Sequence, residues 1–178
     1  DAELFGHWWF EGPLFLKEIF KIAKREKIIL TSLKCLLQNT SQIQLCDPSP
    51  SSWGQGGYHD YWLNDSNAWI IRKWSEAGNN MVKIANQEIN DKDTLRLAKQ
   101  AARELLLSQS SDWSFILRAG TTTKLAKDRI ELHLQRFWEI INLIESKEKY
   151  ISPSIENIEK EDCLFPLIDI QDWSSINQ

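Results

Sequence analysis

The sequence predicts a mainly α-helical chain, with about three long helices preceded by one short piece of α/β structure. Three observations carry this expectation. Apolar residues recur at spacings of three and four through 67–145, the period of a helix with one buried face. A helix-type pattern up to Lys24-Arg25 is followed at once by the β-branched run Lys27-Ile28-Ile29-Leu30-Thr31. Between these regions, Gly54, Gly56, Gly57, Pro48 and Pro50 forbid a regular element. With 178 residues, 42% hydrophobic and 26% charged, the chain is the size of one domain, or of one domain with an appendage, and can bury a core.

Taken in order, residues 1–12 mix charge, glycine and aromatics without a period and read as a loop. Gly12-Pro13 then opens a helix, because proline at a first-turn position loses no hydrogen bond. Leu16, Ile19, Phe20 and Ala23 form its apolar face. The run 27–31 is expected to be a buried strand, so 1–39 reads as one βα segment of a larger parallel system. Residues 40–66 form a long loop rich in tryptophan and glycine, a type more often functional than idle. The domain at 67–149 should hold helices at about 67–87, after caps at Asp91 or Asp93, and at about 123–145. The stretch around Asp112-Trp113 reads as a polar break between the last two. Residues 150–178 read as a loosely attached acidic tail.

Composition excludes several classes. Lys and Arg number 21 against 25 Asp and Glu, a net charge of −4, whereas nucleic-acid surfaces are basic. The longest apolar run is four residues, Ala68 to Ile71, far short of the ~20 that span a membrane. Neither nucleic acid nor membrane is therefore an expected partner. No signal-peptide pattern opens the sequence, and three scattered cysteines fit a reducing compartment, so a cytoplasmic location is expected. His7, His59 and His133 are too dispersed for a local metal motif, and neither a metal nor a cofactor is expected. The start on DAELFGHWW, a dense motif without an initiator Met, reads as the edge of a longer protein.

Some residue sets could carry chemistry. A carboxylate such as Asp1 beside His7, Trp8 and Trp9 could be tuned into a general acid by desolvation, or be an ordinary solvated charge. Trp53, Tyr58 and Trp62 lie among glycines. Their rings could stack on the C–H face of a sugar, or simply anchor the loop. Asp112, in Ser110-Ser111-Asp112-Trp113, could hold a hydroxyl pair or cap a helix. Trp69, Trp74 and Trp138 fall in helical spans and read as core. His59 reads as a loop hydrogen-bonding residue and His133 as a residue on a helix face. No phosphate loop, serine elbow or metal signature is present.

Three blocks, DAELFGHWWFEGP, PSSWGQGGYHDYWLN and ARELLLSQSSDWSFI, together resemble the C-terminal part of glycoside hydrolase family 57, most closely its 1,4-α-glucan branching enzymes. The resemblance covers roughly residues 1–145 and leaves out the tail. It implies a fold in which the last βα segment of an incomplete (β/α)7 barrel precedes a helical domain, and a partner in the upstream barrel of the same chain. It implies α-1,4-glucan (amylose, glycogen or a starch-like polymer) as substrate and a retaining transfer to a 6-hydroxyl. Asp1 matches the family's acid/base aspartate. Trp53 and Trp62 match cleft tryptophans, and Asp112, with Trp113 beside it, matches a polar site residue. His7 and Trp8 belong to the Asp1 motif, and Tyr58 to the cleft loop. The nucleophilic glutamate has no counterpart here, which implies that these 178 residues are inert alone. A family amylase, a 4-α-glucanotransferase and a non-catalytic glucan-binding helical module are the alternatives.

Overall fold

Asp91 shows how the long helices begin. Its Oδ2 accepts hydrogen bonds from the Thr94 N–H (2.8 Å) and the Thr94 hydroxyl (2.6 Å), satisfying a first-turn donor that would otherwise lack a partner. The computed structural model describes residues 2–146 and 153–174, with the side chains of 2 and 3 left aside. In order, the helices are α1 (Gly12–Arg25), α2 (Leu33–Asn39), α3 (Ala68–Ala85), α4 (Lys92–Ser108), α5 (Ser111–Ala119), α6 (Thr123–Ser146) and α7 (Pro153–Glu161). Short 3₁₀ turns occur at Ala2–Phe5, Gln55–Gly57, His59–Tyr61 and Ile170–Trp173. Among the described residues there is no β-strand. The chain is mainly helical and divides into two units, Asp1–Ser49 and Pro50–Gln178.

In the first unit, Phe5, Trp9 and Phe15 gather their rings, with centroids 5.0 Å apart for Trp9–Phe15 and 5.4 Å for Phe5–Trp9. Gly12 is required where α1 meets the 3₁₀ turn, because a Cβ there would lie 2.6 Å from the Phe5 Cα. The expected strand at 27–31 does not form. Its first residue is consumed in ending α1: Lys27 turns left-handed (φ 58°), and the Ile28 N–H reaches back to the Ala23 carbonyl at 2.8 Å. Ile28, Ile29 and Leu30 are then exposed without a neighbouring strand, and an isolated strand has no ladder to satisfy it. The short helix α2, capped by the Ser32 hydroxyl on the Cys35 N–H (3.2 Å), has no counterpart in the sequence reading.

The second unit holds the core. α4 packs on α6 and on α3, and α5 packs on α6. Ile70, Ala77, Met81 and Ile84 of α3 meet Ala98, Ala101, Ala102 and Leu105 of α4, and Ile130, Leu134, Phe137 and Ile141 of α6. Three expected long helices thus appear with their expected apolar faces. Two expectations need correction. The "polar break" around Asp112 is a helix, α5, whose Ser114 and Leu117 are buried. Serines and an aspartate at its start favour a helix N-terminus rather than a loop. The expected loose tail from 150 is docked over its described residues, 153–174: Ile155, Ile158, Ile168 and Ile170 join the core. It is strapped by Arg96 to Glu159, by the Arg103 Nε donating to the Leu164 carbonyl (2.8 Å), and by Arg136 to Asp162. The acidic composition concealed apolar residues at helical spacing.

Candidate functional site

The loop 50–67 is built by backbone turns before any side chain acts. The Ser52 N–H donates to the Gly57 carbonyl at 2.7 Å, and the Gly57 N–H to the Gly54 carbonyl at 3.1 Å. Gly54 has φ 115°, a region open to glycine, and a Cβ there would stand 2.6 Å from the Tyr61 ring. Glycine therefore lets the chain pass directly over Tyr61. The loop is then pinned by Asn67, which has no exposed surface. Its Nδ2 donates to the Tyr61 carbonyl (3.2 Å) and the Ser114 carbonyl (3.3 Å), while its Oδ1 accepts from the Asn64 N–H (2.8 Å).

Phe115 of α5 organises the aromatic residues. The Tyr61 ring stacks on it at 5.0 Å and 18°, Trp53 meets it at 5.6 Å, and Trp62 at 5.9 Å. Trp53 also stands edge-on to Tyr61 at 5.3 Å. Such offset and edge contacts hold rings in fixed orientations. On the same helix, the Arg118 Nε donates to Asp60 Oδ2 at 2.9 Å, and its guanidinium lies 5.6 Å from the Tyr61 ring centroid. Although anchored, Trp53 keeps 56% of its surface exposed. The result is a rigid, partly open aromatic ledge.

Asp112 lies in the first turn of α5, exposed, with Oδ2 accepting from the Ser110 hydroxyl at 2.9 Å. Trp113 turns the other way. Its ring packs against the core, and its indole N–H donates to the Leu107 carbonyl at 2.9 Å. Tyr58 is exposed and outside the cluster around Phe115. In the first unit, the His7 and Trp8 rings meet edge-on at 4.6 Å, with Trp8 largely exposed. Asp1 lies outside the described residues. The structure thus sets Trp53 and Trp62 against Phe115 of α5, the helix whose first turn carries Asp112. Phe115, Asn67 and Arg118 escaped the sequence reading. The signal for Phe115 was available: taking 111–119 as a helix puts it one turn after Asp112.

A second cluster is buried between α4, α6 and the end of α7. His133 Nδ1 is 2.7 Å from Glu104 Oε2, the Gln100 Nε2 donates to Glu104 Oε1 at 2.8 Å, and Asp162 Oδ2 is 3.7 Å from His133 Nδ1. His133, expected on a helix face, is therefore a buried hydrogen-bonding residue. Burial pushes the Glu104 carboxyl above the usual glutamate range, against the hydrogen bonds from His133 and Gln100, and the Asp162 carboxylate pushes it in the same direction. Glu104, His133 and Asp162 offer donor atoms within 4.8 Å of one another, enough to consider a metal ion. The Arg136 guanidinium already occupies Asp162, however, and Glu104 is already hydrogen-bonded on both oxygens. The arrangement is that of a structural ion network. No helix among the described residues is long and apolar enough to cross a membrane.

Comparison with known proteins points to one family. Residues 73–173 match the family described as "1,4-alpha-glucan branching enzyme, C-terminal". A 1,4-alpha-glucan branching enzyme of Thermococcus kodakarensis is 33% identical over 147 residues, which cover 80% of this chain and 21% of that protein. The crystal structure of a GH57 branching enzyme from Thermococcus kodakaraensis, in complex with glucose and additives, superposes with a TM-score of 0.82 at 29% identity. It covers 98% of this chain, and this chain covers 33% of it. The α-amylase AmyC of Thermotoga maritima superposes at 0.71 with 34% identity, over 97% of this chain and 32% of its own. The chain thus spans about a fifth to a third of the length of the proteins it matches.

Proposed function

The chain belongs to the family of 1,4-α-glucan branching enzyme C-terminal domains, and on that premise we propose that it is the glucan-holding portion of a family 57 branching enzyme. The observation that supports this most is Trp53: more than half exposed, yet held edge-on by Tyr61 and at a tilt by Phe115. A pyranose ring offers an apolar C–H face, and a fixed indole stacks on it with little loss of side-chain freedom. Trp53 and Trp62 would line an α-1,4-glucan chain, Tyr58 would flank it, and exposed Asp112 would accept hydrogen bonds from sugar hydroxyls. Trp113, tied to Leu107, would hold the start of α5 in register.

On this reading the complete enzyme carries out a retaining transfer. A glutamate outside these residues attacks the anomeric carbon, the C1–O4 bond breaks, and Asp1 gives its proton to O4. A glucan 6-hydroxyl then attacks C1, returns a proton to Asp1, and displaces the glutamate, forming an α-1,6 linkage. The two carboxyl groups must stand ~5–5.5 Å apart for this chemistry. His7 and Trp8 would support Asp1 in that role. Residues 1–39 would lie against the upstream barrel of the same polypeptide, which would cover the exposed Leu14, Phe15 and Phe20 of α1. Such an enzyme would work in the cytoplasm, on an intracellular glucan.

The similarity to an α-amylase supports a second reading, hydrolysis rather than branching. The test is to incubate the longer polypeptide carrying both this sequence and the barrel with linear amylose. New α-1,6 linkages are then counted by proton NMR beside new reducing ends. Branches without matching reducing ends, lost in Asp1→Asn, are the expected result. Reducing ends without branches would replace transfer with hydrolysis.

A further inference from the structure

Away from the loop 50–67, a groove of about 300 Å³ runs between α3 and α6, at the lower end of the volumes of small-molecule sites. Its lining is Lys73, Glu76, Glu131, Leu134, Gln135 and Trp138. Glu131, Leu134, Gln135 and Trp138 fall on one face of α6, at i, i+3, i+4 and i+7, and Lys73 and Glu76 on one face of α3. Trp138 is half-buried, its ring held edge-on at 5.1 Å by the fully buried Phe137. Lys73 does not pair with either carboxylate. Its ammonium lies 5.0 Å from the centroid of the Trp69 ring. Among the described residues, Glu76 and Glu131 make no ion pair.

We propose that this groove is a second carbohydrate site, which holds a segment of neutral α-1,4-glucan with a sugar face on Trp138 and its hydroxyls between the Lys73 ammonium and the Glu76 and Glu131 carboxylates. Two carboxylates against one ammonium repel an anion such as phosphate. An aromatic side chain in the lining, with a carboxylate from each helix and an ammonium from α3, suits a ring with an apolar face and a polar edge. The proposal rests on the reading of glucan as substrate. It adds a place where the polymer is held apart from the ledge at Trp53, which raises the local concentration of chain ends.

The test is affinity electrophoresis of the full chain through gels containing linear amylose, with maltoheptaose as competitor and thermal midpoints measured in parallel. Trp138→Ala should weaken retardation by about five- to tenfold, the range of one aromatic stacking contact. Glu76→Gln with Glu131→Gln alters only exposed side chains and so tests the groove even where Trp138→Ala unfolds the chain. It should weaken binding with an unchanged midpoint. Trp53→Ala should add to either loss. Groove variants that bind as wild type, while Trp53→Ala abolishes retardation, would overturn the second site and leave the substrate reading standing. A wild-type chain that no glucan retards would overturn both. Spermine binding that is lost in the carboxamide pair, with amylose retardation intact, would make the groove a cation site and overturn the proposal.

Discussion

Glu104 and His133 are locked together in the core: Oε2 and Nδ1 lie 2.7 Å apart, and neither side chain is appreciably exposed. The pair joins α4 to α6 at the point where Asp162 and Arg136 close over it. A buried carboxyl in this setting ties stability to pH.

Folding holds a proton on Glu104 above the ordinary glutamate value of about 4.3, where the unfolded chain releases it. Where the folded state binds more protons than the unfolded one, stability falls as pH rises. The Glu104 contribution is therefore complete below about pH 4.3 and lost as pH climbs through the raised folded value. Glu104→Gln mimics the protonated acid: its amide oxygen can accept from Gln100 and its NH₂ can donate to His133. Thermal midpoints of wild type and Glu104→Gln between pH 4 and 8 should diverge, with wild type losing ground at the higher end. Parallel curves would show that Glu104 ionises normally.

Phe137 and Trp53 are both large aromatics, but only Phe137 is fully buried. Phe137→Ala should cost about 3–5 kcal/mol of stability, the range for emptying a core aromatic site. Trp53→Ala forfeits only its ring contacts with Tyr61 and Phe115 and should cost about 1 kcal/mol, while weakening amylose binding. Urea unfolding of each variant gives both numbers. Equal losses would remove the distinction between core ring and open ledge.

Gly54→Ala should disrupt the ledge without melting the bundle. The new methyl meets the Tyr61 ring at 2.6 Å in a backbone conformation that disfavours any side chain, at a cost of about 1–3 kcal/mol. The aromatic near-ultraviolet circular dichroism should change, since Tyr61, Trp53 and Phe115 share one cluster, while the helical far-ultraviolet signal persists. An unchanged aromatic spectrum would show that Gly54 is not what seats Tyr61.

The long helices were legible because Ile70, Ala77, Met81 and Ile84, or Ile130, Leu134, Phe137 and Ile141, repeat at the helical period and all face the same core. The opening of α1 was legible because Pro13 tolerates only such a position. The ledge was half legible: Trp53 and Trp62 stand out by composition, whereas Phe115, their support, lies 62 residues beyond Trp53 and inside a helix read as a break. Long-range burial of polar groups left no local trace. Glu104, His133 and Asp162 each look like surface residues, and only tertiary packing brings them together. The β-branched run at 27–31 failed as a strand for the opposite reason, since pairing is a property of two segments and no described segment offers the other.

The docking of α7 rests on charge as well as on Ile155 and Ile158. Arg136 holds Asp162 with Nη1 and Glu161 Oε2 with Nη2 at 2.5 Å. The Arg136 and Asp162 side chains are only 17% and 15% exposed, so removing either one strands a largely desolvated charge beside Glu104. Arg136→Ala should cost about 3 kcal/mol, the lower end of the range for breaking a buried pair, because the site keeps some contact with water. Asp162→Asn should cost less, because Glu161 still engages Arg136 and one negative charge near Glu104 is gone. The double variant should be more stable than the sum of the two losses predicts, by about 1–2 kcal/mol of coupling. Urea unfolding of the four proteins closes the cycle. Strictly additive losses would mean that the isoleucines alone hold the segment to the bundle and that the ion pair is incidental.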